Sequence, residues 1–301
     1  MPDYPDTLAK FCSTYTAEQI LSSQRLRWSA PNLLSDPFEP THLTSLSFDP
    51  KGLLEGVIRS ATSMIFSREA PRSDAPLAVV VRRWRDEERF ASPEEAEEVL
   101  EELLSRMVDQ RLEAIEEIMS DWRKFTRELR ICSFSARPNN LSCWQHFADQ
   151  HRGVALRFRC GEYTSLPEPS AVQYSPNRPD ITTFKEQINA ILYQEKVDAQ
   201  SQFLSKFLVK PSTNIDEQEW RCFFRATDQA SSREAEDALW YDDRPFEKSD
   251  LSSAYFGAFI PAAEKLRLVN LFTENYPDAK LFQAAPIPGK YEIEFTRLKS
   301  Q

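Results

Sequence analysis

The sequence predicts an α+β fold, a mixed, mostly antiparallel sheet core with flanking helices and an inserted helical arm. Three observations carry this. Short runs of alternating apolar and polar residues are scattered among helical patterns in an irregular order, which opposes a regular parallel sheet. From Ser92 to about Leu129 the apolar residues recur at three and four without a breaker. The 301 residues, 41% of them hydrophobic, suffice for a full core near the length at which chains begin to divide. The expected organisation is one domain, 1–301, with a helical insertion at about 68–130.

The elements follow in order. Thr7 to Cys12 reads as a strand, Tyr15 to Ser22 as a short helix and Arg25 to Ser29 as a second strand. Pro31, Pro37 and Pro40 end regular structure around Asp36-Pro37-Phe38-Glu39, where Asp36 before a proline starts a turn and Phe38 plugs a core edge. Pro50 to Ser67 is helical, with Leu53, Val57, Ala61 and Ile65 on one side, and the charged, proline-bearing residues 68–91 read as a connector. Ser92-Pro93-Glu94-Glu95 then supplies a cap, a first-turn proline and a capping-box glutamate for the long helix. Ile131 to Ser135 resumes strand character. Asn140 to Gln150 forms a helix, Gly153 to Phe158 and Ala171 to Tyr174 form strands, and Phe184 to Val209 is a long amphipathic helix. Glu219 to Arg225 is a strand, residues 226–245 are loop, and a helix from Pro261 to about Asn275 precedes a hairpin of Lys280 to Ala285 with Lys290 to Arg297.

Composition excludes several functions. A formal charge of −10 opposes extended binding to nucleic-acid backbone but allows a small anionic ligand held by a few local cations. The six glycines form no G-x-G or P-loop spacing, so a Rossmann dinucleotide domain and a P-loop nucleotidase are disfavoured. Cysteines 12, 132, 143, 160 and 222 contain no C-x-x-C pair. No metal site is assigned, and buried thiols in a cytoplasmic protein are the expectation. No apolar run is long enough to span a bilayer.

Four islands hold the candidate chemistry: Lys10-Phe11-Cys12, the Arg27 to Glu39 stretch, the Cys132 to Val154 block, and Glu217 to Arg221. Taken as a strand, Glu217 to Phe224 puts Trp220, Cys222 and Phe224 toward the core. Glu217, Glu219 and Arg221 then share the opposite, partly exposed face. Two carboxylates beside a guanidinium form either a salt bridge or a site in which Glu219 is a general acid/base or accepts a sugar hydroxyl, with Arg221 orienting it. On the helix from Asn140, Trp144 faces inward, His146 and Asp149 stand three apart, and His151 falls at the helix end, where the dipole favours a cation.

Together these islands resemble the bacterial family catalogued as domain of unknown function 2971. The resemblance rests on Arg27-Trp28-Ser29-Ala30-Pro31 with Asp36-Pro37-Phe38-Glu39, Ile131 to Ser135, Trp144 to Gly153, and Lys210 with Glu217 to Arg221. It spans most of the chain apart from the helical arm and residues 226–245. Ser35 stands where the family usually has Asn, and Cys12 where many members have Arg or Thr. The opening strand, the serine-bearing middle strand and the late glutamate are also similar to the ADP-ribosyltransferase layout, which implies NAD as a substrate whose nicotinamide-ribose bond is cleaved. On that resemblance Glu219 contacts ribose, with Arg221 and His146 beside it as catalytic candidates. Lys10 contacts pyrophosphate or ribose, Trp28 or Trp144 lines the nicotinamide pocket, and Ser29, Asp36, Glu39 and Ser133 complete the binding set. A competing reading is a non-enzymatic binding or sensing module, with His146, Asp36, Glu39 and Arg221 as a buried polar network and the helical arm mediating self-association or a protein contact. A third is a metal-dependent hydrolase using Asp36, Glu39, His146 and Glu219 as ligands.

Overall fold

The computed structural model describes residues 4–68, 73–226 and 240–298. In chain order the elements are β1 (Thr7–Cys12), α1 (Thr14–Ser23), β2 (Arg25–Ser29), α2 (Pro50–Phe66), α3 (Pro76–Asp86), α4 (Pro93–Glu128), β3 (Leu129–Ser135), α5 (Leu141–His146), β4 (Val154–Arg159), β5 (Ser170–Ala171), β6 (Gln173–Ser175), α6 (Phe184–Tyr193), β7 (Val209–Pro211), β8 (Glu219–Arg225), β9 (Tyr241–Pro245), β10 (Leu251–Phe256), α7 (Ala262–Asn275), β11 (Lys280–Pro286) and β12 (Ile293–Arg297). The fold is α+β, a mixed, mostly antiparallel sheet flanked by helices. No helix among the described residues is long and apolar enough to cross a membrane.

The described residues form two compact units. The first, residues 4–39, 126–178, 207–226 and 240–298, contains all the strands; the second, residues 40–68, 73–125 and 179–206, contains α2, α3, α6 and α4 as far as Phe125.

In the first unit the main sheet runs β12-β11-β10-β4-β1-β3-β2-β9, with β8 along the remaining edge of β3 and β5 outside β8. β6 and β7 make a separate parallel pair, and β10 and β11 are the parallel pair of the main sheet. β8 matches β3 along its length, from Leu129↔Arg225 to Ser135↔Glu219. Since a strand has two edges, β1 and β2 share the other one, meeting β3 at Ala9↔Ser135 and at Ser29↔Ile131 respectively. Residues directly opposite one another in antiparallel strands point to the same face. Arg157, Ala9, Ser135 and Glu219 therefore form one row across β4, β1, β3 and β8. The other face carries Leu8, Cys132, Phe134, Phe158 and Cys222, buried in one cluster with residues of α1 and α7 such as Leu21, Leu268 and Phe272.

Local chemistry accounts for the element ends. The Ser13 side chain accepts from the Thr16 N–H to start α1, and Gln24 in the left-handed region ends it. In the second unit Ser92 Oγ accepts from the Glu95 N–H at 3.3 Å, while Glu95 reaches one residue past its expected partner to accept from the Ala91 N–H at 2.9 Å. Trp122 of α4 is fully buried, donates to the Thr41 carbonyl at 2.8 Å and meets Phe203 edge-on.

The connector at 68–91 contains α3, because Pro76 occupies its first turn, where a missing N–H costs nothing, and Leu77, Ala78 and Val81 are buried. The helix from Phe184 ends at Tyr193, where Gln194 turns left-handed without a glycine. The loop at 226–245 lies outside the described residues for 227–239, but its end is β9, a polar edge strand paired with β2. β10, for which no strand is expected from the alternation, lies between β4 and β11. α5 stops at His146, and Asp149, Gln150 and His151 follow with φ of 46°, 52° and 66°.

Candidate functional site

β8 positions the centre of the site. Glu219 and Arg221, two residues apart, point to the same face, and both are buried, at 8% and 1% exposure. The expectation of a partly exposed salt bridge is thus corrected: the polar face of this strand is covered as fully as the apolar one. Arg221 Nε donates to Glu219 Oε1 at 2.7 Å, Nη1 to Glu39 Oε2 at 3.0 Å and to the Phe207 carbonyl at 2.8 Å, and Nη2 to Glu39 Oε1. A planar guanidinium suits this because its fixed fork reaches two carboxylates at once.

Glu39 arrives through the turn the sequence suggests. Asp36 Oδ1 accepts from the Phe38 N–H at 2.9 Å, and its carbonyl accepts from the Glu39 N–H at 3.2 Å. Glu39 is turned inward, while Phe38, expected to plug the core, is 62% exposed.

A second cation completes the cluster. Lys210 Nζ donates to Glu217 Oε2 at 2.6 Å and lies 3.1 Å from Glu219 Oε2. Gln218, left-handed at φ 46°, joins the 3-10 turn Ser212–Glu217 to β8. The turn is fixed by Asn140, whose Oδ1 caps α5 by accepting from the Cys143 N–H at 3.1 Å, while its Nδ2 donates to the Glu217 carbonyl at 2.9 Å. The Tyr174 hydroxyl accepts from the Glu219 N–H at 2.9 Å.

These contacts set the protonation states. Burial alone raises the Glu219 pKa, but the Arg221 guanidinium and Lys210 ammonium more than reverse it, holding the carboxyl at about 2. Burial likewise works against the charged forms of Arg221 and Lys210, yet their carboxylates raise both above their ordinary values. Burial pushes the nearby Cys143 thiol up to about 12, so it is no thiolate nucleophile.

A cavity of about 190 Å³ opens beside this cluster, lined by Lys10, Phe11, Asp36, Ser133, Ser135, Cys143 and Phe147 as well as Glu39, Lys210, Glu217, Glu219 and Arg221. Lys10 Nζ donates to the Ser133 carbonyl at 3.3 Å and lies 5.3 Å from the centre of the Phe134 ring. Among the described residues it has no carboxylate within 4.0 Å.

Of the candidate residues, Lys10, Asp36, Glu39, Ser133, Glu219 and Arg221 meet at this cavity, and Trp28, Ser29, Trp144 and His146 do not line it. Trp28 is 2% exposed, edge-on to Phe224 in the core. Ser29 lies half-buried on β2, paired with Ile131 and Tyr241. Trp144 is fully buried, donates from Nε1 to the Pro138 carbonyl at 2.7 Å and braces Phe11 from behind the cavity wall. His146 is exposed. His151, expected to be charged at a helix end, lies beyond the helix in the left-handed turn, and burial lowers its pKa.

The islands thus converge, although the indole-imidazole helix contributes Cys143 and Phe147 where Trp144 and His146 are expected. Glu217, expected on the same face as Glu219, and Lys210, expected only through the resemblance, join the site as an ion pair, while Asn140, expected only at the start of its helix, ties their turn to α5. Among the described residues no group of three His, Cys, Asp or Glu side chains is disposed to hold a metal ion. No family model, curated protein or solved structure matches this chain.

Proposed function

We propose that this protein is ADP-ribosyltransferase-like, binds NAD at the Glu219 cavity and cleaves its nicotinamide-ribose bond, as a member of the domain of unknown function 2971 family. The observation that carries this reading is the ionised Glu219 carboxylate at the wall of a small cavity that also presents Ser133, Ser135 and the carboxylate-free cation Lys10. With a pKa near 2, Glu219 is unsuited to proton transfer at neutral pH but suited to facing positive charge. In the reaction the C1′–N bond breaks, its electron pair neutralises the departing pyridinium ring, and positive charge moves onto the ribose beside the carboxylate. Water, or a hydroxyl-bearing acceptor in its place, then bonds to C1′ and releases its proton to solvent. The cavity is smaller than the roughly 300–1,000 Å³ that enclose drug-sized ligands, so it takes one ring of the dinucleotide while the remainder lies outside.

The test is release of nicotinamide from NAD by the purified chain, followed by chromatography. Glu219→Gln is expected to slow it roughly 10²-fold. Ser133→Ala, which leaves the ion cluster charged, is expected to slow it too, with an unchanged circular dichroism spectrum. No release by the wild type, or full turnover by both variants, overturns the reading.

One observation favours a second reading, a non-enzymatic binding module. The Glu219 carboxylate already receives Arg221, Lys210 and Ser133, which fill its acceptor positions. On that reading the cluster is a rigid wall, and ligand binds without turnover.

A further inference from the structure

The row of side chains that contains Glu219 continues beyond the cavity to a second polar group. Arg157 on β4 is opposite Ala9 on one side and Ser253 of β10 on the other, so the three point to the same face. Tyr255, opposite Ala155, shares that face two residues along. Arg157 Nη1 lies 3.5 Å from the Tyr255 hydroxyl, which lies 3.4 Å from Ser253 Oγ, both at the outer limit of hydrogen bonding. Ser253 and Tyr255 are 5% and 6% exposed, and Arg157 Nε is buried with no hydrogen-bond partner.

No carboxylate among the described residues lies within ion-pair distance of this guanidinium. Glu39, Glu217 and Glu219 are all committed to Arg221 or Lys210. A partly buried guanidinium with an unsatisfied donor is costly, and two adjacent hydroxyls that can turn their hydrogens outward add nothing negative to offset it. What this group lacks is a compact oxyanion with several acceptor oxygens.

We infer that Arg157, Ser253 and Tyr255 form a binding site for a tetrahedral oxyanion of the phosphate class, one to which a phosphate of the dinucleotide proposed above extends. The identity of that ligand rests on the function proposed above; the anion site does not. Three strand spacings, about 14 Å between α-carbons, separate Arg157 from Glu219 along the row. The Arg157 side chain leans toward Tyr255 of β10, across β4 from β1, so the anion site stands apart from the Glu219 cavity.

The experiment titrates the full chain with inorganic phosphate, ADP-ribose and nicotinamide riboside by calorimetry. It compares the wild type with Arg157→Met and with Tyr255→Phe, which preserves the ring packing. The expected result is that Arg157→Met weakens ADP-ribose and phosphate at least about tenfold and leaves nicotinamide riboside unchanged, with Tyr255→Phe shifting the same two ligands in the same direction. Phosphate and ADP-ribose binding the variants as they bind the wild type, or neither binding the wild type, overturns the inference. Phosphate binding that depends on Arg157, with no binding of ADP-ribose or nicotinamide riboside, keeps the anion site and removes the NAD reading.

Discussion

Arg221 closes a two-point fork on Glu39, 182 residues earlier in the chain, with both side chains almost wholly buried. Burying such a pair is not in itself a large gain, but removing one member strands the other in low dielectric. Glu39→Ala is therefore expected to cost about 3–5 kcal/mol, read as a lower urea midpoint. Arg221→Lys is expected to lose a comparable amount, because one ammonium cannot span the two carboxylates and the Phe207 carbonyl.

Stability should depend on acid through Glu219. Its folded pKa, about 2, is below its ordinary value of 4.5, so the native state holds this carboxylate ionised where the unfolded chain binds a proton. The contribution is fully present above 4.5 and is lost as pH falls through that window toward about 2, amounting to something on the order of 3 kcal/mol. Lys210 acts oppositely: its raised pKa gives stability that is present below 10.5 and lost as pH rises beyond it. Thermal melts across both limbs check this, and Glu219→Gln should flatten the acid limb.

Gly257 and Gly153 stand where two backbones touch. A Cβ on Gly257 would fall 2.1 Å from the His151 carbonyl oxygen, and one on Gly153 2.2 Å from that of Cys12. Neither neighbour is a movable side chain. Gly257→Ala should destabilise by roughly 1–3 kcal/mol or more, measured by chemical denaturation, whereas Gly289→Ala, which meets no atom within 4 Å but sits at φ 80°, isolates the cost of backbone strain alone.

The cap of α4 yields a milder change. Ser92→Ala removes the acceptor for the Glu95 N–H and should cost about 1 kcal/mol. Adding Glu95→Ala also removes the acceptor for the Ala91 N–H, so the double variant should exceed the single one.

Much of the fold was legible because its strands alternate or its helices repeat over many turns, as Glu219 to Arg225 and Pro93 to Glu128 do. β10 escaped because Ser252 and Ser253 interrupt a short apolar run, and β9 because Asp242, Asp243 and Arg244 make it read as loop, although at a sheet edge such residues serve well. The polar residues of the site were legible as types, since few patterns put Glu, Arg and Ser on one face of neighbouring strands. The aromatic ones were not: Trp28 and Trp144 look like cavity walls in sequence, and both pack in the interior, because an indole offers more area to a core than to a small pocket. Lys210 meets both Glu217 and Glu219 because Gln218, between those two carboxylates, takes a left-handed conformation that its residue type does not announce.

β4 has Ala155 and Leu156 beside β1 on one flank and beside β10 on the other. During synthesis both strands of the first flank are made before β10, whereas the second flank has no partner until residues 251–256 leave the ribosome. A nascent or prematurely terminated chain ending before Leu251 would thus display a hydrophobic ladder of unpaired backbone groups, the kind of surface on which chaperones act and aggregates nucleate.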